Sequence, residues 1–372
     1  MGPILIVGAG PTGLAGALFL AVQGVRCRIV DKASEPTTLS KALVCNPRTL
    51  ELLEPTGVTA KVLAEGRPVH RFELRKGDEV LLGMTPEALE TRFPLTVIAQ
   101  ARTEALLTEA LAGYGVHVER GVEFESLSQV EGGVTVVLAH ADGRRETVET
   151  PILFAADGAH SRIRHALNLD FPGTAFPEPW KLADIRLQAP VEGPQVFGQF
   201  IPHGLVFCAA FAPDHWRIIT TSGEPTEHLP PGGVLKEVVW ASDFHISHRI
   251  AEKLTVGRVM LGGDAAHLHS PVGARGMNLG IEDGYVFAHI TKNALEGPRD
   301  KLQERLEDYH RLRHPVDKAV VRKIEAISRI ARGEGLWSVV REVAPHLAEQ
   351  IPMLRQVMLE TVAGMDHPVR LS

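Results

Sequence analysis

The chain has 372 residues, of which 44% are hydrophobic and 23% charged, and it carries a net charge of −6. This composition suits a globular protein of about two or three domains or subdomains, and its acidic balance argues against nucleic acid as the main partner. No run approaches the ~18 apolar residues of a membrane span, the Met1-Gly2-Pro3 start lacks the basic region of a signal peptide, and three cysteines without metal or disulfide spacing (Cys27, Cys45, Cys208) fit a reducing, cytoplasmic setting.

In chain order, Ile4-Leu5-Ile6-Val7 is a continuous apolar run, as expected for a strand buried on both faces. Gly8-Ala9-Gly10-Pro11-Thr12-Gly13 follows at once, then a small-residue helix over 14–23 ended by Gly24, and a second strand over 28–31. This is a βαβ unit. A polar loop covers 36–48. A short helix follows over 48–53, stopped by Pro55 and Gly57, and 71–82 reads as a hairpin around Lys76-Gly77-Asp78. An amphipathic helix spans 103–112, and short strands run over 116–154. The stretch 171–222 alternates apolar and polar residues as an antiparallel sheet does. A helix is expected over 233–241 and a buried strand over 258–261. Helices are expected over 277–295 and 300–332, with a short helical tail after them.

Three motifs carry chemistry. Gly8-x-Gly10-x-x-Gly13 sits between a strand and a helix, with Asp31 ending the next strand. Gly8 permits the turn, Gly10 lets backbone approach a pyrophosphate, and Gly13 lets the helix pack on the strand. The helix N-terminus offers N–H groups to phosphate, and Asp31 can accept from a ribose diol. The second motif, Ala155-Ala156-Asp157-Gly158-Ala159-His160-Ser161-Arg162-Ile163-Arg164, is an acid-glycine turn opening a basic helix, and by itself an ordinary N-cap explains it. The third runs from Gly257 to Gly284 and packs Asp264, His267 and His269 before Gly273-Ala274-Arg275-Gly276. It lacks the spacing of known zinc sites, so no metal is expected there.

In this order the three motifs resemble those of the single-component (group A) FAD-dependent aromatic hydroxylases, the family of p-hydroxybenzoate hydroxylase and phenol hydroxylase. The resemblance runs from residue 1 to about residue 330. It implies an α/β fold: a Rossmann-like (GR2-type) FAD-binding domain over 1–70, 96–172 and 252–330, interleaved with a mostly antiparallel substrate-binding sheet over 71–95 and 173–251, and a helical tail over 331–372. It implies FAD bound by Gly8, Gly10, Thr12, Gly13, Asp31, Lys32, Lys41, Gln100, Asp157 and Asp264, with the N–H groups of Gly276, Met277 and Asn278 facing the flavin pyrimidine. Lys41 stands where many members have arginine, which loses the bidentate fork. His160 and Arg164 match positions used for the phosphates of NADPH or NADH. Pro271 matches a residue near the reacting edge of the isoalloxazine, and Arg275 would be a cation beside it.

The activity implied is hydroxylation of an aromatic, phenolic or polyketide-like small molecule with NAD(P)H and O2, through a C4a-hydroperoxyflavin, by a monomer or homodimer. His203, His215 and Tyr285 are candidate acid–base residues by type alone. Baeyer–Villiger oxygenation, a reductase and a non-catalytic flavin-binding protein stay open on the same scaffold, as does a dehydrogenase lacking flavin. A halogenase is disfavoured because Trp180, Trp216, Trp240 and Trp337 stand singly.

Overall fold

The computed structural model describes residues 2–38, 42–130, 132–191, 193–202, 204–333, 345 and 347–371, and the side chain of Glu87 is not among the described groups. Its centre is a six-stranded sheet in the order Thr255–Val256, Val259–Leu261, Leu153–Ala155, Ile4–Val7, Cys27–Asp31, Val118–Arg120, parallel except for the first strand. Ile4–Val7 is buried at every position, as its unbroken apolar sequence requires of a strand covered on both faces. The two motif-bearing strands after it follow on one side: Leu153–Ala155 pairs with it, and Val259–Leu261 pairs with Leu153–Ala155. The topology thereby gathers three segments separated by more than a hundred residues at one end of one sheet.

Two helices pack together on this sheet, Pro11–Val22 and Gly276–Glu296. Their seam is made of small residues. A Cβ on Gly280 would lie 2.2 Å from the Thr12 hydroxyl, and one on Gly284 would lie 2.7 Å from the backbone nitrogen of Gly16. Phe154 stacks on Phe287 at 3.9 Å between ring centroids, filling the space beneath the seam. Helix Leu302–Arg332 lies against Gly276–Glu296.

A second, seven-stranded sheet has the order Leu235–Phe244, Trp180–Leu187, His215–Thr220, Gly204–Ala212, Val196–Ile201, Phe72–Lys76, Glu79–Met84. It is antiparallel except where Val196–Ile201 runs parallel to Phe72–Lys76. A smaller antiparallel sheet joins Val122–Val130, Gly133–His140 and Arg145–Thr150.

The structure corrects one sequence expectation outright. Residues 233–241 are not a helix: Leu235–Phe244 is an edge strand paired with Trp180–Leu187. The Val238-Val239-Trp240 run is β-branched and aromatic, and the partner strand supplies hydrogen bonds that a local reading does not see. Sequence reading also passed over helix Val58–Glu65, which follows the 3₁₀ turn Glu54–Thr56 through Gly57 at φ 78°. The tail contains helix Pro352–Ala363. No helix among the described residues is long and apolar enough to cross a membrane.

Candidate functional site

The three glycines of the first motif meet different surroundings. A Cβ on Gly8 would lie 2.1 Å from the carbonyl oxygen of Ala156, and one on Gly13 would lie 1.9 Å from that of Gly8. These two positions are closed by backbone. A Cβ on Gly10 would meet nothing within 4 Å, so its bare backbone borders open space. That space is a cleft of about 220 Å³ bordered by Gly8, Gly10, Asp31, Lys32, Asp157, His160 and Arg162, among others. Gly10 is also the N-cap of Pro11–Val22, which has no side-chain cap, so the helix's first N–H groups are left for a ligand.

Asp31 is held by backbone: its carboxylate accepts from the N–H of Ala9 at 2.6 Å and of Ala33 at 2.8 Å, with Arg120 at 3.8 Å. Asp157 accepts from the N–H of Ile163 at 3.2 Å, while its other oxygen is buried without a partner. Burial raises the Asp157 pKa. An orphaned acceptor, an open glycine and an uncapped helix around one cleft fit a dinucleotide that brings hydroxyl donors and a pyrophosphate. Lys32 and His160 are exposed at its rim, and Arg162 pairs with Glu123 at 2.7 Å. Gln100 accepts from the N–H of Ala42 at 3.0 Å and donates to Glu104 at 2.8 Å. Lys41 lies outside the described residues.

Arg164 is placed elsewhere. It is buried, donates to the carbonyls of Ala265 at 2.9 Å and Ala159 at 3.0 Å, and lies 3.9 Å from the ring centre of Phe171. It ties the second motif to the third. The cap of its helix, Arg162–Ala166, is Ser161, which accepts from the N–H of Arg164 at 2.9 Å.

The third motif begins with a 3₁₀ turn, Gly263–Ala265, that leaves Asp264 on the exposed side. Gly263, at φ 57°, abuts Thr12, so the first and third motifs touch. The chain then turns at Pro271, whose carbonyl accepts from the N–H of Ala274 at 3.0 Å. Gly273 and Ala274 are both left-handed, at φ 80° and 53°. For alanine that conformation costs about 1 kcal/mol, and it aims the chain into Gly276–Glu296. That helix has no side-chain cap either. Its position is fixed by Asn278, whose amide donates to the carbonyls of Val44 at 2.8 Å and Ala274 at 2.7 Å and whose oxygen accepts from the N–H of Asn46 at 3.0 Å. Gly276 lies against His269: a Cβ there would be 3.6 Å from its ring. Met277 is buried in the core. Asn46, a helix cap that sequence reading passed over, closes this joint. The Asn46-Pro47 pair was the available signal for it.

The two histidines differ. His269 donates from Nδ1 to the carbonyl of Ser270 at 2.9 Å, and burial pushes its pKa down to about 3, so it is neutral. For His267 burial also acts downward, but Asp283 at 2.7 Å and Asp317 outweigh it and bring the pKa up to about 9. His267, Asp283 and Asp317 converge within 4.8 Å, and the cation between the carboxylates is Arg313, 2.7 Å from Asp283 and 2.9 Å from Asp317. Arg313 also reaches Glu282 at 3.3 Å, and Glu282 meets His367 at 2.8 Å. A buried ionic chain thus runs from the third motif into the C-terminal segment.

Arg275 belongs to the same chain of charges. It is fully buried, donates to the carbonyl of Thr361 at 2.9 Å and pairs with Asp366 at 3.4 Å. The bare cation expected from the sequence is therefore one half of an ion pair.

The loop at Pro271 faces the large sheet. Val272 packs with Trp180, Leu182, Ile219 and Ile246, flanked by Phe176, Phe207, Trp240 and Phe244. Ala274 packs with Val196 and Ala209, beside Phe207 and Phe211. The same sheet face carries Arg217, bound through two nitrogens to Asp184 at 2.7 and 2.8 Å and lying over Phe211 and Trp240. His215 is 4.8 Å from Phe211 by ring centre. Tyr285 instead packs edge-on against Phe19 in the core of the motif-bearing sheet, and His203 lies outside the described residues.

Comparison with known proteins agrees with this geometry. A family model described as an FAD binding domain matches residues 1–208 and 225–324. The chain is 32% identical to a 6-methylpretetramide 4-monooxygenase of Streptomyces rimosus, covering 98% of this chain and 68% of that protein. It is 29% identical to a pentachlorophenol 4-monooxygenase of Sphingobium chlorophenolicum, covering 89% and 65%. Among solved structures, an anhydrotetracycline hydroxylase of Streptomyces rimosus superposes with a TM-score of 0.80 at 28% identity over 98% of this chain and 76% of that one. A p-nitrophenol 4-monooxygenase of Pseudomonas putida shares the fold at a TM-score of 0.84 and 21% identity, covering 98% of both chains.

Proposed function

The chain belongs to the FAD binding domain family of group A aromatic hydroxylases, and we propose that it hydroxylates an electron-rich phenolic or polyketide-like ring, using NAD(P)H and O2. The observation that carries the substrate class is the aromatic sheet face set against the Pro271–Ala274 turn, a surface suited to a flat apolar ring. The names of two relatives, monooxygenases of 6-methylpretetramide and of pentachlorophenol, support the same reading.

FAD, when bound, accepts a hydride from NAD(P)H and supplies activated oxygen from O2. The residues divide the remaining work. Gly10 and the N-terminus of Pro11–Val22 would hold the pyrophosphate, Asp31 the ribose, and Asp157 and Asp264 further hydroxyl or phosphate-linked oxygens. The N–H groups of Gly276, Met277 and Asn278 would stabilise negative charge on the reduced ring system, because they open a helix without a cap. Pro271 and Val272 would set the ring edge against the substrate. Phe207, Phe211 and Trp240 would exclude water from it, and the Arg217–Asp184 pair would give a polar group of the substrate a fixed partner. Arg164 joins the motifs in this arrangement through the carbonyls of Ala265 and Ala159.

The test is a panel of phenols and aromatic polyketides offered to FAD-loaded protein, scored by NAD(P)H oxidation together with product mass. A compound that speeds NAD(P)H oxidation and gains one oxygen atom supports the reading. A protein that holds FAD while no member of the panel changes NAD(P)H oxidation refutes it.

A further inference from the structure

The C-terminal segment reaches into this site. Besides the Arg275 contacts, Gly364 is so close that a Cβ on it would lie 2.7 Å from the Asn46 amide and 3.1 Å from Arg275. Arg48 donates to the carbonyls of Gly364 at 3.4 Å and His367 at 3.2 Å. Val362 packs into the cluster that contains Ala274, Phe207 and Phe211. Residues 359–367 therefore cover the turn that leads into Gly276–Glu296 from behind.

Charge makes this more than packing. Arg275 immediately precedes the helix assigned above to the flavin, and its guanidinium has Nε and Nη2 buried without partners. Asp366 is the carboxylate that pairs with it, and Lys323 at 2.5 Å and His367 at 3.0 Å hold Asp366 in turn. Among the described residues, Glu282, His367 and the neutral His269 also face the pair. We propose that Asp366 is a positioning residue for the flavin site: it fixes Arg275 and offsets its charge, so that the tail sets the electrostatic field at the N-terminus of Gly276–Glu296.

This inference rests on the assignment of that helix to the flavin. It makes a prediction about sign that a packing role does not share. Asp366→Asn leaves an uncompensated cation and raises the midpoint potential of bound FAD. Arg275→Gln removes the cation next to the helix while Asp366 stays, and lowers it. The double variant removes both charges and returns toward the wild-type potential, because the two opposite shifts offset one another. It leaves neither member of the Arg275–Asp366 pair buried without the other, while Lys323 is partly exposed and His367 keeps Glu282, so it disturbs folding less than a single variant. Asp366→Glu keeps the wild-type value, and Val362→Ala, which loosens the same segment without changing charge, moves nothing.

The measurement is equilibrium reduction of the FAD-loaded protein against reference dyes. Single variants that shift in the same direction, a double variant that does not return, or a Val362→Ala shift as large as that of Asp366→Asn would each overturn the proposal. Wild-type protein that takes up no FAD would overturn the site assignment and this inference together. Wild-type protein that binds FAD while the variants leave its potential unmoved would overturn this inference alone.

Discussion

Substituting Gly10 by alanine separates folding from cofactor binding. Gly10 has φ −76° and ψ −177°, extended backbone that alanine adopts freely, and its added Cβ meets nothing within 4 Å. Alanine gains about 0.4–1 kcal/mol by restricting the unfolded chain and loses a similar amount as a poorer helix cap, so apoprotein stability stays within about 1 kcal/mol of wild type. The methyl group nonetheless occupies the space through which a pyrophosphate approaches backbone. A tenfold loss of FAD affinity, about 1.4 kcal/mol, is the least expected. Thermal melts with and without FAD read both quantities. At a free FAD concentration about a hundredfold above the wild-type Kd, wild type is stabilised by about 2.7 kcal/mol and a tenfold weaker variant by only about 1.4 kcal/mol. Gly13→Ala is the contrast: its Cβ would lie 1.9 Å from the carbonyl oxygen of Gly8, so the apoprotein itself loses about 1–3 kcal/mol or more. Unaltered FAD binding by Gly10→Ala would refute the placement of the pyrophosphate.

Arg164→Ala removes two hydrogen bonds to carbonyls and the contact with Phe171, so urea denaturation should show a loss of about 2–4 kcal/mol with the KM for NAD(P)H unchanged. A raised KM at full stability would return Arg164 to the nicotinamide site. The His267 pKa, about 9 in the folded protein against ~6.5 unfolded, gives stability that is complete below about pH 6.5 and lost as the pH climbs through about 9. That contribution is of order 3 kcal/mol. Urea midpoints from pH 6 to 10 should therefore fall more steeply for wild type than for His267→Gln, and parallel curves would show that His267 does not titrate there. Phe211→Ala opens the sheet face opposite the turn. It should raise the KM for an aromatic substrate about tenfold, ~1.4 kcal/mol, with FAD affinity unchanged in fluorescence titration.

The parts of the site legible in the sequence are those whose geometry is local. Gly8 and Gly13 are needed by a turn that closes within six residues, so the spacing alone identified them, and the surrounding strand and helix followed from apolar runs. Gly263, Gly280 and Gly284 are just as constrained, yet what they make room for is Thr12 and Gly16, at the other end of the chain. No local pattern carries that partner. The strand Leu235–Phe244 was misread for the same reason, since its hydrogen bonds belong to Trp180–Leu187. Charged residues show the limit most sharply. A motif tells the sign of Arg164 and Arg275 but not their direction, and a basic residue beside a phosphate-binding turn invites the reading that it faces the phosphate. Both are buried, and both find their partners elsewhere: backbone carbonyls and Phe171 for Arg164, Thr361 and Asp366 for Arg275. A buried guanidinium needs acceptors close by, and in a chain whose motifs converge on one sheet edge those acceptors come from whichever segment packs behind the loop. For Arg275 that segment is the tail, which lies beyond every motif. A family fingerprint thus points to the loop over 271–276, while the counter-charge proposed to tune it has to be sought among residues the fingerprint does not contain.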